Sequence, residues 1–354
     1  MTAMSCGGEK VLVAMSGGVD SAVAAYLLRE AGYDVTGVFL CMGGAVAGGD
    51  ETSGRCWPAD AADARRAAEM LGIELSVLDA GRDFARIIDY FVAEYARGRT
   101  PNPCIHCNTL VKFGRLIARA DALGAGYVAT GHHARVVDGA IHRSAEKDQS
   151  YALFGIRRAD LGRVLLPIGE VPGKAEVRRI ASAIGLPVAE RPDSQDICFV
   201  DGDHVELLRR RRPEALAPGR IVDSAGNVLG THDGVGHFTI GQRRGLGVAR
   251  GEPMYVTRID PATATVTIGP RDEVVSLRLS ASGANWHVDP PALGSEFDAV
   301  VQIRYNHGGA PGRVRITGAE TFEAAFAEPV TAVTPGQAAV VYEGRRLLGG
   351  GWID

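Results

Sequence analysis

Residues 11–28, VLVAMSGGVDSAVAAYLL, join a short apolar run to a helix-patterned run through two adjacent glycines. That order limits the fold. A strand, a tight Gly turn and an Ala-rich helix open a βαβ unit, and a crossover helix makes the flanking strands parallel. The alternation continues. DVTGVFL (34–40), IELSVLD (73–79) and GYVATG (126–131) read as further strands. PADAADARRAAEMLG (58–72) opens on Pro58 and closes on Gly72, as helices often do. DFARIIDYFVAEYARG (83–98) sets Phe84, Ile87, Ile88 and Phe91 on one side, and NTLVKFGRLIARADALG (108–124) does so with Leu110, Phe113, Ile117 and Ala120. KAEVRRIASAIGL (174–186) and DHVELLRRR (203–211) add helix. The fold class implied is α/β, a parallel sheet with helices on both faces, which binds ligands beyond the carboxyl ends of its strands.

After about residue 212 the texture changes to short strands and turns, with Gly226-Asn227 marking a hairpin. The reading is three domains: an α/β domain over 1–212, a small β-rich domain over 213–275 and a C-terminal β-barrel over 276–354.

The formal net charge of −4 gives no global pull toward nucleic acid, so any such binding needs a local basic face. Arg209, Arg210, Arg211 and Arg212 form one cluster, either a solvated helix end or a phosphate contact. The start, MTAMSCGGEK, lacks the apolar stretch of a secretion signal, and no apolar run approaches the ~18 residues of a membrane span. A cytoplasmic protein is expected. Its six cysteines would then be mostly reduced, with any disulfide catalytic and transient. Cys41 should be packed, Cys56 should lie in a Gly-rich loop, and Cys6 in the N-terminal tail.

In SGGVDS, Gly17 and Gly18 let successive N–H groups converge on an anion, and the following helix adds its dipole. Ser16 and Ser21 supply hydroxyls. Asp20 is unusual beside an anion; it would brace the loop or help hold Mg2+ between phosphates. The lysine of a Walker loop is missing, and so is the G-x-G-x-x-G spacing of a dinucleotide site. The string resembles the pyrophosphate loop of the ATP pyrophosphatase superfamily, whose members transfer AMP to an oxygen and release pyrophosphate.

TPNPCIHCNTLVKFG (100–114), ATGHHAR (129–135), KDQSYALFGI (147–156), DSQDICFV (193–200), TIGQRRGLGV (239–248) and TPGQAAVVYEG (334–344) narrow that group. Together, and in this order, they resemble the tRNA-specific 2-thiouridylase family over nearly the whole chain. The resemblance implies thiolation at C2 of the wobble uridine of tRNA, with ATP and a persulfide sulfur consumed. It places ATP contacts on Ala14, Met15, Ser16, Gly17, Gly18, Val19, Asp20, Ser21, Leu40 and Gly131. It places target-base and tRNA contacts on Asn102, Pro103, Cys104, His132, Lys147, Asp148, Gln149, Arg304, Tyr305 and Gln337. His133 is left as structural. The expected partners are tRNAs of the Lys, Glu and Gln type and a persulfide donor, either a cysteine desulfurase or a sulfur-relay protein.

The same resemblance makes Cys198 the persulfide carrier and Cys107 the nucleophile that frees the sulfur, leaving a Cys107–Cys198 disulfide to be reduced. A helix beginning at 108 would favour the Cys107 thiolate. Where many family members carry Asp, this chain has Cys104, which creates C-x-x-C. Cys104, Cys107 and Cys198 could therefore instead ligate a [4Fe–4S] cluster with an open iron. Two rivals remain: an adenylating ligase of a small molecule, which has no need of the cysteines, and a non-catalytic sulfur carrier or iron–sulfur protein, which has no need of SGGVDS.

Overall fold

The computed structural model describes residues 8–43, 58–189, 197–200, 202–248 and 251–354. Cys6, Cys56 and the Asp193–Asp196 part of DSQDIC lie outside them. The described residues form two compact units. The first draws on Met1–Arg86, Cys104–Ile197 and Arg345–Leu347, the second on Ile87–Pro103, Cys198–Gly344 and Leu348–Asp354.

The first unit holds strands β1 (Lys10–Ala14), β2 (Asp34–Cys41), β3 (Glu74–Asp79), β4 (Tyr127–Ala129), β5 (Ala134–Val137), β6 (Ala140–Arg143) and β7 (Val164–Leu165). Five of them make one sheet in the order β3-β2-β1-β4-β7, with every pairing parallel. Strand order reverses between β1 and β4, so the crevice for a ligand should open beyond their carboxyl ends. Helix α1 (Val19–Glu30) leaves β1 and is buried along most of its length by small residues, including Ala22, Val23, Ala24 and Ala25. They let α1 pack closely on the sheet, in a core shared with α2 (Pro58–Leu71) and α6 (Gly173–Ala183).

Helix α3 (Gly81–Ala96) carries the chain from the first unit into the second. The chain returns at Cys104, just inside α4 (Pro103–His106). From α4 it runs without a break through a seven-residue π-helix, Cys107–Phe113, into α5 (Gly114–Leu123). The sequence pattern placed this helix at 108–124; it begins five residues earlier. The β5–β6 hairpin was not anticipated either. His142 of β6 pairs with Arg346 within the first unit.

The second unit contains α7 (His204–Arg211) and two β domains. The smaller is a four-stranded sheet of β8 (Gly219–Val222), β9 (Val228–His232), β10 (Tyr255–Asp260) and β11 (Thr265–Gly269) in the order β10-β11-β8-β9. β8 and β9 form the expected hairpin, and Asp223 ties its turn by accepting from the Ala225 and Asn227 N–H groups. The last strands are β12 (Val275–Trp286), β13 (Glu296–Gln302), β14 (Ala310–Gly318), β15 (Thr321–Thr331), β16 (Ala338–Glu343) and β17 (Arg346–Ile353). They pair in the order β12-β15-β14-β13-β16-β17, and β17 pairs back on β12, which closes a six-stranded barrel. On β15, buried Phe322, Ala324 and Phe326 alternate with exposed neighbours, the period-two pattern of a strand with one face inside.

Arg209 and Arg210 pair with Glu206, Arg211 with Asp89, and Arg212 with Glu214. The arginine run therefore meets carboxylates of the protein. Among the described residues no helix is long and apolar enough to cross a membrane.

Candidate functional site

The turn after β1 is shaped by Gly17, whose φ of +78° suits glycine and whose missing Cβ would otherwise lie 2.4 Å from the Asp60 carbonyl oxygen. Ser21, in the first turn of α1, accepts from the Ser16 N–H at 3.1 Å and donates to the Gly18 carbonyl at 3.0 Å. These bonds fix the loop at the amino end of α1, where backbone N–H groups and the helix dipole favour an anion. Leu40 is half-buried near the end of the neighbouring β2. Gly131 follows β4, across the point where strand order reverses; a Cβ there would sit 2.6 Å from the Ser21 nitrogen. The three segments expected to contact ATP thus all lie at the carboxyl edge of one sheet, and 131 must be Gly for the two loops to touch.

Asp20 would repel a triphosphate if left alone. It is not alone. The Lys174 ammonium donates to both carboxylate oxygens at 2.7 Å, and His133 Nε2 lies 3.3 Å from one of them. Burial works against the Asp20 charge, but the His133 and Lys174 hydrogen bonds and charges outweigh it and hold the carboxyl below its ordinary value. Lys174 enters from the first turn of α6, 154 positions away, so local sequence gave no sign of it. The only available hint was chemical: a phosphate loop without its own lysine. His133, read as structural, is buried and belongs to this cluster.

His132 is also buried, hydrogen-bonded through Nδ1 to the Thr130 hydroxyl at 2.7 Å and stacked on Phe113. Desolvation, with help from Lys112 and His133, pushes its pKa well below the usual 6.5, so the ring is neutral. Asp148 accepts from Ser144 and Ser150, and Gln149 accepts from the His133 N–H at 2.8 Å. These two residues, expected at the RNA, already brace the loop behind His133. Ser144 donates to the Lys147 carbonyl.

Cys107 does not precede a helix; it sits inside one, at the start of the π-helix. The expectation of a dipole-assisted thiolate is therefore corrected. Burial pushes its thiol up, and the Lys112 ammonium only partly opposes this. The π-turn is marked by the Gly114 N–H donating to the Thr109 carbonyl five residues back. Asn108 donates to the Ala152 carbonyl at 2.9 Å and Thr109 to the Ile105 carbonyl at 2.9 Å, which anchor the segment. Cys104 is exposed, although the surrounding protein also pushes its thiol up against the pull of Lys112.

Cys198 belongs to the second unit and is exposed. Its neighbour Phe199 is buried edge-on against Phe91 at 5.1 Å, which pins the turn and leaves the cysteine outward. Cys104, Cys107 and Cys198 all carry thiols. Cys41 is buried as expected, but it is disulfide-bonded. Among the described residues no three His, Cys, Asp or Glu side chains gather as a metal site.

On the barrel, Arg304 and Tyr305 lie in the β13–β14 loop. The Arg304 guanidinium donates to the Thr331 carbonyl at 3.0 Å, and Tyr305 is exposed. Gln337 is half-buried and donates to the Thr100 and Pro101 carbonyls at 2.9 and 3.3 Å.

Sequence comparison decides the family. A family model described as a tRNA methyl transferase HUP domain matches residues 9–202. A PRC-barrel domain of the same name matches 206–270, and an aminomethyltransferase β-barrel domain matches 276–353. A tRNA-specific 2-thiouridylase MnmA of Rhodopirellula baltica is 45% identical over 98% of this chain and 96% of its own length. Relatives of the same name from Chloroflexus aurantiacus (47%, 97% of this chain and 98% of theirs) and Carboxydothermus hydrogenoformans (46%, 98% of each) agree. The chain belongs to the tRNA-specific 2-thiouridylase family. Membership accounts for a phosphate loop and a C-terminal barrel in one chain.

Proposed function

We propose that this chain is a tRNA-uridine 2-sulfurtransferase that uses ATP to place sulfur at C2 of the wobble uridine. The observation that carries this is the 45–47% identity with relatives so named, over 97–98% of the chain. The family model's description names methyl transfer instead. A loop built for phosphates beside a neutralised Asp20 favours the ATP-consuming reaction.

Uracil O2 is a poor leaving group. ATP held by Ala14–Ser21, Leu40 and Gly131 would transfer AMP to O2 and release pyrophosphate. The terminal persulfide sulfur on Cys198 would then attack C2 and expel AMP. Cys107, as thiolate, would attack the Cys198 sulfur, leaving its sulfur on C2 as the thiocarbonyl and forming a Cys107–Cys198 disulfide. A two-electron thiol reductant would reset the pair. Asp20 would serve a magnesium ion bound with ATP only by loosening its hold on Lys174. No step is drawn through an iron–sulfur cluster.

Asn102, Pro103 and Cys104 would border the target base, and His132, Lys147, Asp148, Gln149, Arg304 and Tyr305 would contact tRNA. Arg304 and Tyr305 pair a cation with an exposed ring, which suits phosphate and base stacking. Asp148, Gln149 and the Gln337 amide would act mainly through backbone groups they already hold. The tRNAs would be those for Lys, Glu and Gln. The sulfur would come from a cysteine desulfurase or relay protein, in the cytoplasm. We divide the work among a catalytic domain (1–212), a central domain (213–275) and a tRNA-contacting barrel (276–354).

The test combines ATP, a persulfide donor and unmodified tRNA, and measures 2-thiouridine and pyrophosphate. Both should appear, and only with tRNA present. Pyrophosphate without tRNA dependence would indicate a small-molecule ligase; sulfur loading without pyrophosphate would indicate a carrier.

A further inference from the structure

The chain that leads into the cysteine helix is held from the far end of the sequence. The Gln337 amide donates to the carbonyls of Thr100 and Pro101. The Thr100 N–H donates to the Pro335 carbonyl at 2.9 Å. Arg99 reaches the Ile353 carbonyl at 2.9 Å while its Nε donates to buried Glu94 at 2.7 Å. Ile353 in turn exchanges backbone bonds with this same turn. Its N–H donates to the Gln337 carbonyl at 2.8 Å, and its carbonyl accepts from the Gly336 N–H at 2.9 Å. Residues 99–101, the turn 334–337 and the end of β17 thus form a closed ring of hydrogen bonds inside the second unit. The fit is close: Gly336 has a φ of +89°, and a Cβ there would lie 3.0 Å from the Thr100 carbonyl oxygen.

A glutamine amide has two donor hydrogens, and here both face main-chain carbonyls. Those carbonyls belong to the two residues just before Asn102-Pro103. Pro101 and Pro103 restrict φ on either side of Asn102. Fixing Thr100 and Pro101 therefore fixes the direction in which Asn102 and the start of α4 leave the clasp.

We propose that Gln337 is a positioning residue: the barrel turn 334–337 clasps residues 99–101 and sets the entry to the cysteine-bearing helix. Its effect on thiolation rests on the reading above; the clasp itself does not.

The test uses the full chain with Gln337→Leu and the nearly isosteric Gln337→Glu, whose carboxylate cannot donate. Hydrogen exchange is read at the Arg99, Thr100 and Asn102 amides, with the β14 and β15 amides as the control for folding. Both variants should speed exchange at 99–102 by about tenfold, with barrel protection unchanged. The Kd for unmodified tRNA should stay within about twofold, while kcat for thiolation at saturating tRNA falls about tenfold. Unchanged exchange at 99–102 together with a raised Kd would overturn the proposal and make Gln337 an RNA contact. Faster exchange without any thiolation even by the native chain would keep the clasp and sink the functional reading instead.

Discussion

The phosphate-loop side and the exposed cysteine side of this protein are prepared to different degrees. In the first unit His132, His133 and Cys107 are buried and Asp20 is half-buried; Asp20 is paired with Lys174, His132 is bonded to Thr130, and His133 lies beside Asp20. In the second unit Cys198 and Tyr305 are presented to solvent. The difference follows from what each side must meet. Charge that develops on an activated base is best answered by groups already oriented and shielded from water. Under the proposed reaction a sulfur donor and a tRNA would arrive as macromolecules, so the residues that meet them would have to be reachable. Burial also explains why the Cys107 thiol is pushed up, since the Lys112 ammonium only partly compensates the thiolate for lost water.

The largest test of this contrast uses the two cysteines. Cys198→Ser and Cys107→Ser should each lower thiolation by on the order of a hundredfold or more while leaving ATP binding intact. Their difference matters more than their loss. Cys107→Ser should still take up one extra sulfur atom from a persulfide donor, seen by intact mass, because Cys198 is exposed. Cys198→Ser should take up none at Cys107. Loading of Cys107 in that variant would show that burial does not separate their roles.

Much of this arrangement was legible in the residues. The parallel sheet followed from alternating strand and helix patterns, because each element's period is set locally. SGGVDS announced an anion loop because Gly17 and Gly18 serve no other need so well. The hidden parts depend on tertiary approach. Nothing near Lys174 says that it reaches Asp20. The π-helix at 107–113 arises where Asn108 and Thr109 find carbonyls, which a regular apolar spacing conceals. Exposure of Cys198 beside buried Phe199 was unreadable, since both lie in an irregular segment with no period to separate faces.

Lys174 gives the next test of the prepared side. Lys174→Met leaves the Asp20 carboxylate mostly buried and short of its main partner, which is costly for the loop and repels phosphate. The KM for ATP should rise by about ten- to a hundredfold. Adding Asp20→Asn removes the orphaned charge, so the double variant should bind ATP better than Lys174→Met alone. Additive losses would mean that Asp20 and Lys174 act separately, and that the loop is not prepared by their pairing.

The smallest effect concerns pH. His132 faces Lys112, His133 and Asp20; the first two disfavour its protonation, the carboxylate favours it, and desolvation dominates. Its folded pKa lies below the ordinary 6.5, so the unfolded chain binds protons more readily in the window just below that value. Stability should therefore fall as pH drops below 6.5 and level off once the folded ring also protonates. His132→Gln, read by denaturant midpoint across that window, should flatten this slope at some cost in stability at neutral pH. Acid sensitivity unchanged in the variant would place the titrating group elsewhere. The buried half would then owe its pH response to another group, with Asp20 next in line, because its depressed carboxyl loses stability only at lower pH, as it protonates.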